Sequence, residues 1–171
     1  METWDAISSR RNVRSFTDQA IAPADLERIL EAGWRAPSAS NAQRRDFVVA
    51  TDRAQLKQLA AAWRGAGHVA TSAATVVLVA PTPASKQEAE LNQYDIGQAT
   101  MLMALAAADR GIGSGHAAVG DSELVREILG IPKGWTPLYF LALGYPADRA
   151  LTPVKKPDRR PFDEVVHHGH W

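Results

Sequence analysis

Apolar residues recur along the chain in two patterns, helical spacing and short continuous runs. Trp4, Ala6 and Ile7 give way to Ser8, Ser9 and Arg10, which predicts a short first helix that Thr3 can cap. Leu26, Ile29, Leu30 and Gly33 then stand at i, i+3, i+4 and i+7 behind Pro23, a residue favoured in the first helical turn. This second helix ends before Pro37, because a proline pushes the preceding Ala36 out of α geometry. Residues 37–43 read as a loop and residues 47–50 as a short buried strand. Asp52 caps a third helix carrying Leu56, Leu59 and Trp63, broken at residues 64–67. A second strand covers residues 75–80 and is closed by Pro81 and Pro83.

The pattern predicts one long helix over residues 86–110. Its second half, residues 99–108, is apolar on nearly every face. Such a helix must be covered on all sides, and in a small chain part of that cover can come from another subunit. Gly111, Gly113 and Gly115 follow, with a third short strand over residues 114–118. Asp121 caps a helix with Leu124, Val125, Ile128 and Leu129, stopped by Gly130 and Pro132. Residues 137–144 are apolar throughout, the signature of a central strand. The tail beyond Tyr145 carries Pro146, Pro153, Pro157 and Pro161 and should run extended over a surface. No repeat or linker interrupts this order, so residues 1–171 read as a single domain, a small sheet flanked by helices.

Composition narrows the class. With 171 residues, 46% apolar and 22% charged, the chain can bury a real core and does not read as disordered or collagen-like. Zero cysteines exclude disulfide frameworks, Cys-ligated zinc, iron–sulfur clusters and thiol catalysis. Residues 1–15 contain no apolar secretory core, and the longest clean apolar run, residues 101–108, is too short to span a bilayer. The expectation is a cytoplasmic protein with no membrane partner.

Charge adds a position-dependent signal. Nineteen Lys and Arg balance nineteen Asp and Glu, yet Arg10, Arg11 and Arg14 put three guanidinium groups within five residues, beside Asn12 and Ser15. Lys155, Lys156, Arg159 and Arg160 set four cations against Asp158 alone within six residues. Residues 86–109 run the other way, with Glu88, Glu90, Asp95 and Asp109 against one cation. Two compact basic clusters on a neutral chain suit one small anion such as a monophosphate, which guanidinium groups bind bidentately, and not a nucleic acid. The alternative is that Arg10 and Arg11 end a helix through its negative C-terminal dipole while the other cations are solvated.

Other candidates are weaker. Ser38, Ser40, Asn41 and Gln43 can read the polar edge of a flat heterocycle or make an ordinary helix-to-strand connection. The run Gly111-Ile-Gly-Ser-Gly115 is not G-x-G-x-x-G and follows a helix, so helix ending and tight packing explain it better than dinucleotide binding. His116 can face a ligand or be locally satisfied. His167, His168 and His170 lack a spaced acidic partner, so no metal is expected. No motif for side-chain catalysis is found, and no catalytic residue is named; a cofactor would carry the chemistry.

The order of motifs is informative beyond any one of them. Arg10-Arg-Asn-Val-Arg-Ser-Phe16, Ile29-Leu-Glu-Ala32, Ala36-Pro-Ser-Ala-Ser-Asn-Ala-Gln43, Asp95-Ile-Gly-Gln98, Arg110-Gly-Ile-Gly-Ser114, Leu129-Gly-Ile-Pro132, Leu143-Gly-Tyr-Pro146 and Arg160-Pro-Phe-Asp-Glu-Val165 together resemble the nitroreductase family of FMN-dependent oxidoreductases, over almost the whole chain. The resemblance implies an α+β, three-layer α/β/α sandwich with a small, mixed, mostly antiparallel sheet. It also implies an obligate homodimer through the long helix, with FMN at the dimer interface. Arg10 and Arg159, with Lys156 or Arg160, look like a phosphate clamp; Arg11 and Asn12 look like phosphate or ribityl contacts. Arg14 is similar to the family's cation near N1 and O2 of the flavin. Pro37, Ser38, Ala39, Ser40 and Asn41 look like the part of the pocket given by the partner subunit, with Gln43 beside it. Backbone of Ala117, Ala118 and Val119 would lie near N5.

Two features differ from the family pattern. Arg44-Arg45 stands where the family often has Pro-Trp, and Gly67-His68 stands where an Asn/Lys pair is usual. The implied activity is transfer of hydride and electrons from NADH or NADPH to a nitroaromatic, a quinone or another small acceptor. A flavin-storing protein without turnover, or a specialised synthetic or dehalogenating enzyme on the same fold, remains open at this point.

Overall fold

The computed structural model describes Met1–Trp171. Five α-helices form, α1 (Thr3–Ser9), α2 (Pro23–Trp34), α3 (Arg53–Ala60), α4 (Lys86–Asp109) and α5 (Ser122–Leu129), and four strands, β1 (Asp46–Ala50), β2 (Ala74–Pro81), β3 (Gly113–Ala118) and β4 (Trp135–Gly144). The strands pair antiparallel in the order β1-β2-β4-β3. The expected mixed sheet is thus antiparallel among its strands; its one parallel element is an isolated bridge between Asn12 and Ser114 beside the outer strand.

Period-two alternation sorts the sheet residues into two cores. Val77, Val79, Phe140, Ala142 and Ala117 face one side, where Leu56 and Leu59 of α3 and Val125 of α5 close over them. Val76, Leu78, Leu141 and Leu143 face the other, against Ile29 of α2 and Ile96, Met103 and Ala107 of α4. The β2–β4 pair is covered on both faces, which is why both strands read as continuous apolar runs. Gly33 lets α2 lie close on α4, since a Cβ there would stand 2.8 Å from the Met103 thioether.

Several expectations need correction. Thr3 lies inside α1 and does not cap it; the N-cap is Glu2, with no side-chain hydrogen bond, and Trp4 and Ile7 are exposed, not core. β1 is a half-exposed edge strand, because only β2 covers its flank. Trp63 lies beyond α3 and packs over Gly120. The caps Asp52 and Asp121 form as expected, at 2.8 and 2.9 Å from the Gln55 and Leu124 N–H groups.

α4 is covered on one side only. Ala99, Met103, Ala104, Ala107 and Ala108 are buried, but Leu91, Tyr94, Met101 and Leu102 are 40, 69, 46 and 36% exposed. Trp4 and Ile7 of α1, a helix packed against α4, add 74 and 46% exposed surfaces. No helix is long and apolar enough to cross a membrane.

Candidate functional site

The first basic cluster rides on a segment laced to the edge of the sheet. The Val13 N–H donates to the Ser114 carbonyl at 2.9 Å, the Thr17 N–H to the Tyr145 carbonyl at 2.8 Å, and the Ala147 N–H to the Ser15 carbonyl at 3.0 Å. Val13 is wholly buried and Phe16 is 8% exposed, so two apolar pegs fix the segment in the core. Gly115 permits the approach, because a Cβ there would run into the Val13 carbonyl oxygen. With Val13 turned inward, Arg10 and Asn12 face a cavity.

That cavity, about 860 Å³, opens between α1, α4 and the tail. Arg10, Arg11, Asn12 and Arg159 bring hydrogen-bond donors to it, and Asp158 is its one carboxylate. Trp4, Ile7, Met101, Leu105 and Val154 form its apolar wall. A second cavity of about 350 Å³ shares Arg10, Asn12 and Met101 and continues between α4 and the sheet past Ser114, His116 and Tyr139. The Tyr139 hydroxyl donates to Gln93 Oε1 there, at 2.6 Å. The tail reaches the site because the Val154 N–H donates to the Ser8 carbonyl at 3.0 Å.

The cations of the two clusters are not equivalent. Arg10, Arg14 and Arg159 make no ion pair, and Arg159 donates only to the adjacent Asp158 carbonyl, at 2.6 Å. Arg11 is instead engaged with the tail, donating at 2.7 Å to both Asp148 and the Arg149 carbonyl. That guanidinium holds the Asp148 carboxyl down at about 2. Arg11 Nε is buried without a hydrogen-bond partner. Lys156 and Arg160 do not line the cavity, and Arg160 is engaged with Glu164.

Around Gly115 a second group gathers. His68 is buried with Nε2 3.3 Å from the Gly115 carbonyl. Burial pushes its imidazole below the ordinary value, the Gly115 carbonyl opposes this, and the charges of Arg14 and His116 add to the lowering. Just past β3, the Val119 N–H is bound to the Leu138 carbonyl at 3.0 Å, and the alternation of the antiparallel β3–β4 ladder turns the Ala117 N–H the same way, so neither N–H suits a ligand. Alternation turns the Ala118 N–H to the outer edge, making it the candidate donor of the three.

Pro37, Ser38, Ala39, Ser40, Asn41 and Gln43 line neither cavity of their own chain. Ser40, Asn41 and Gln43 take φ of 51, 52 and 53°, the left-handed region that residues other than glycine enter at a cost. The turn is closed by the Gln43 N–H donating to Ser38 Oγ at 2.9 Å. From α4, Asp95 accepts the Ala39 N–H at 3.1 and 3.2 Å, and Arg45 donates to the Trp34, Ala36 and Pro37 carbonyls. Sequence reasoning assigned no role to either anchor; the signal was a lone acid among the buried positions of α4.

The site offers unpaired guanidinium groups at one end and apolar walls beside neutral polar groups at the other. Such a donor set fits a ligand with a phosphate on a flat, mostly apolar body. No group of three or more His, Asp or Glu side chains is placed to hold a metal ion.

Comparison with known proteins agrees with this geometry. The model of the nitroreductase family matches residues 7–145. A relative from Archaeoglobus fulgidus, provisionally named an NADH dehydrogenase/NAD(P)H nitroreductase, is 33% identical over 99% of both chains. The oxygen-insensitive NADPH nitroreductase of Salmonella typhimurium is 31% identical over 99% of this chain and 74% of its own. Among solved structures, the NADPH:FMN oxidoreductase of Vibrio harveyi complexed with NAD+ superposes with a TM-score of 0.83 at 26% identity, covering 97% of this chain and 76% of its own.

Proposed function

The chain belongs to the nitroreductase family, and from that premise we propose that it is a homodimeric, cytoplasmic, FMN-dependent oxidoreductase of one domain, using NADH or NADPH to reduce a nitroaromatic, a quinone or another small acceptor. The observation that carries this reading is the convergence of Arg10, Asn12 and Arg159, without ion-pair partners, on one amphipathic cavity. When bound, FMN would supply the redox chemistry between the nicotinamide and the acceptor.

The chain's own residues hold and tune it. Arg10 and Arg159 would clamp the phosphate as fixed cations, with Arg11 beside them in the same wall. Arg14 would bring positive charge to the ring, where it would stabilise the negative charge gained on reduction, and the Ala118 N–H would be a donor toward N5. Ser40 and Asn41 would serve the site of the second subunit, since they line neither of these two cavities in their own chain. The exposed Leu91, Tyr94, Met101 and Leu102 stripe of α4 is the face that a second copy would cover. No side-chain acid or base is required.

The visible spectrum of purified protein, titrated with NADH and then NADPH, tests this. A yellow protein bleached by one nicotinamide and recoloured by a quinone is expected. A colourless protein that takes up no FMN would overturn the reading, and bound FMN that no nicotinamide bleaches would indicate flavin storage.

A further inference from the structure

Asp95 and the loop over residues 37–43 form one mechanical unit. Asp95 is 3% exposed, has no cation within ion-pair distance, and spends both carboxylate oxygens on a single N–H, that of Ala39. A buried carboxylate with so little compensation is poorly explained as a contribution to stability, since an apolar side chain of similar size would pack α4 at lower cost. What it holds is the turn in which Ser40, Asn41 and Gln43 all take positive φ. These three side chains are exposed, and the few hydrogen bonds within the loop do not account for three left-handed residues in a row of four.

Opposite charges grip the start of the loop from two directions, Arg45 reaching back from beyond its end and Asp95 reaching across from α4. Arg45, 8% exposed, takes the Trp34, Ala36 and Pro37 carbonyls at and just past the end of α2, where the helix leaves acceptors unmet, and Asp95 takes the Ala39 N–H. Asp95 lies beside Tyr94 and two residues before Gly97, both exposed on the uncovered face of α4. The turn of α4 that carries this uncovered face therefore also sets the loop.

We propose that Asp95 is a positioning residue that fixes residues 37–43 to the interface helix, so that Ser40 and Asn41 are presented in one geometry to the flavin of the second subunit. Arg45 is its counterpart on the carbonyls of residues 34–37. This rests on the reading of the loop as part of the partner's flavin pocket.

The test compares Asp95→Ala, Asp95→Asn and Arg45→Met with wild type. Hydrogen exchange of the 37–43 peptide in flavin-free protein reads the anchoring itself, without any cofactor. FMN titration by fluorescence quenching reads its consequence, and sedimentation reads the dimer. Asp95→Ala should speed exchange in that peptide more than tenfold and weaken FMN at least tenfold, with the dimer intact. Asp95→Asn keeps one acceptor oxygen and should recover FMN affinity to within about threefold. Wild-type exchange and wild-type FMN affinity in Asp95→Ala would overturn the proposal. So would loss of dimer and fold in both Asp95 variants, which would make the residue structural only. If exchange rises as expected but FMN affinity does not move, the anchoring holds and the placement of the loop at the flavin is wrong, which also overturns the proposal. If wild type binds no FMN at all, the functional reading fails on its own.

Discussion

The two basic clusters carry the same charge and are held in opposite ways. The segment over residues 10–16 is laced to the sheet by backbone hydrogen bonds, with Val13 and Phe16 sunk in the core. The tail over residues 154–160 is exposed and tied near the site by the Val154 N–H alone, with Arg11 gripping it upstream at Asp148. One half of the anion site is therefore pre-organised and the other is a strap laid across it. Pre-organisation lowers the ordering cost of binding, so the two arginines facing the cavity should not be worth the same.

The largest expected effect comes from pulling a peg. Phe16→Ala should destabilise the protein by about 3–5 kcal/mol, the usual cost of emptying a large buried aromatic site. It should also abolish flavin retention, whereas truncation at residue 153 should leave the denaturant midpoint near wild type; a midpoint that falls equally in both would erase the comparison. Gly115→Ala is next, at about 1–3 kcal/mol, because the added Cβ meets a backbone oxygen that cannot turn away. Chemical denaturation measures both.

Smaller effects separate binding from stability. Arg10→Ala should weaken FMN by about ten- to hundredfold, as for loss of a charged hydrogen bond, and Arg159→Ala by less, with denaturant midpoints almost unchanged in each. Equal losses would mean that the strap is as ordered as the laced segment.

The smallest effects lie in pH. His68 is held below its ordinary value, so the unfolded chain takes up its proton first. Stability should thus fall as pH drops through about 6.5, and His68→Gln should flatten that slope in urea melts. Asp148 is depressed to about 2 by Arg11. Its contribution is present above the ordinary carboxylate range and is lost only as pH falls toward 2, so the tail contact should survive acid that already loosens the surroundings of His68.

Much of the fold was legible because it rests on period and caps. Leu26, Ile29, Leu30 and Gly33 announced α2, and Asp121 began α5 where its side chain predicts. Trp4 and Ile7 misled, since helical spacing says which face is apolar and not whether the same chain covers it. The arginine clusters were visible as composition, but Arg11 turned out to be committed to Asp148, a partner 137 residues away that no local pattern reveals. The Asp95 anchor was hidden for the same reason, with 56 residues between donor and acceptor. Long-range polar pairs have no period to read.

The lacing of residues 13–17 onto Ser114, Tyr145 and Ala147 also sets a schedule for the newborn chain. Residues 13–17 are made well before the strand edge and the turn that hold them, which come much later in the chain. Closing a loop of that length is slow and comes late. The early helices and the antiparallel β1–β2 pair can begin to collapse while translation continues, but the anion site cannot exist until Ser114, Tyr145 and Ala147 have emerged. A nascent chain stalled before Tyr145 should therefore be unable to hold flavin.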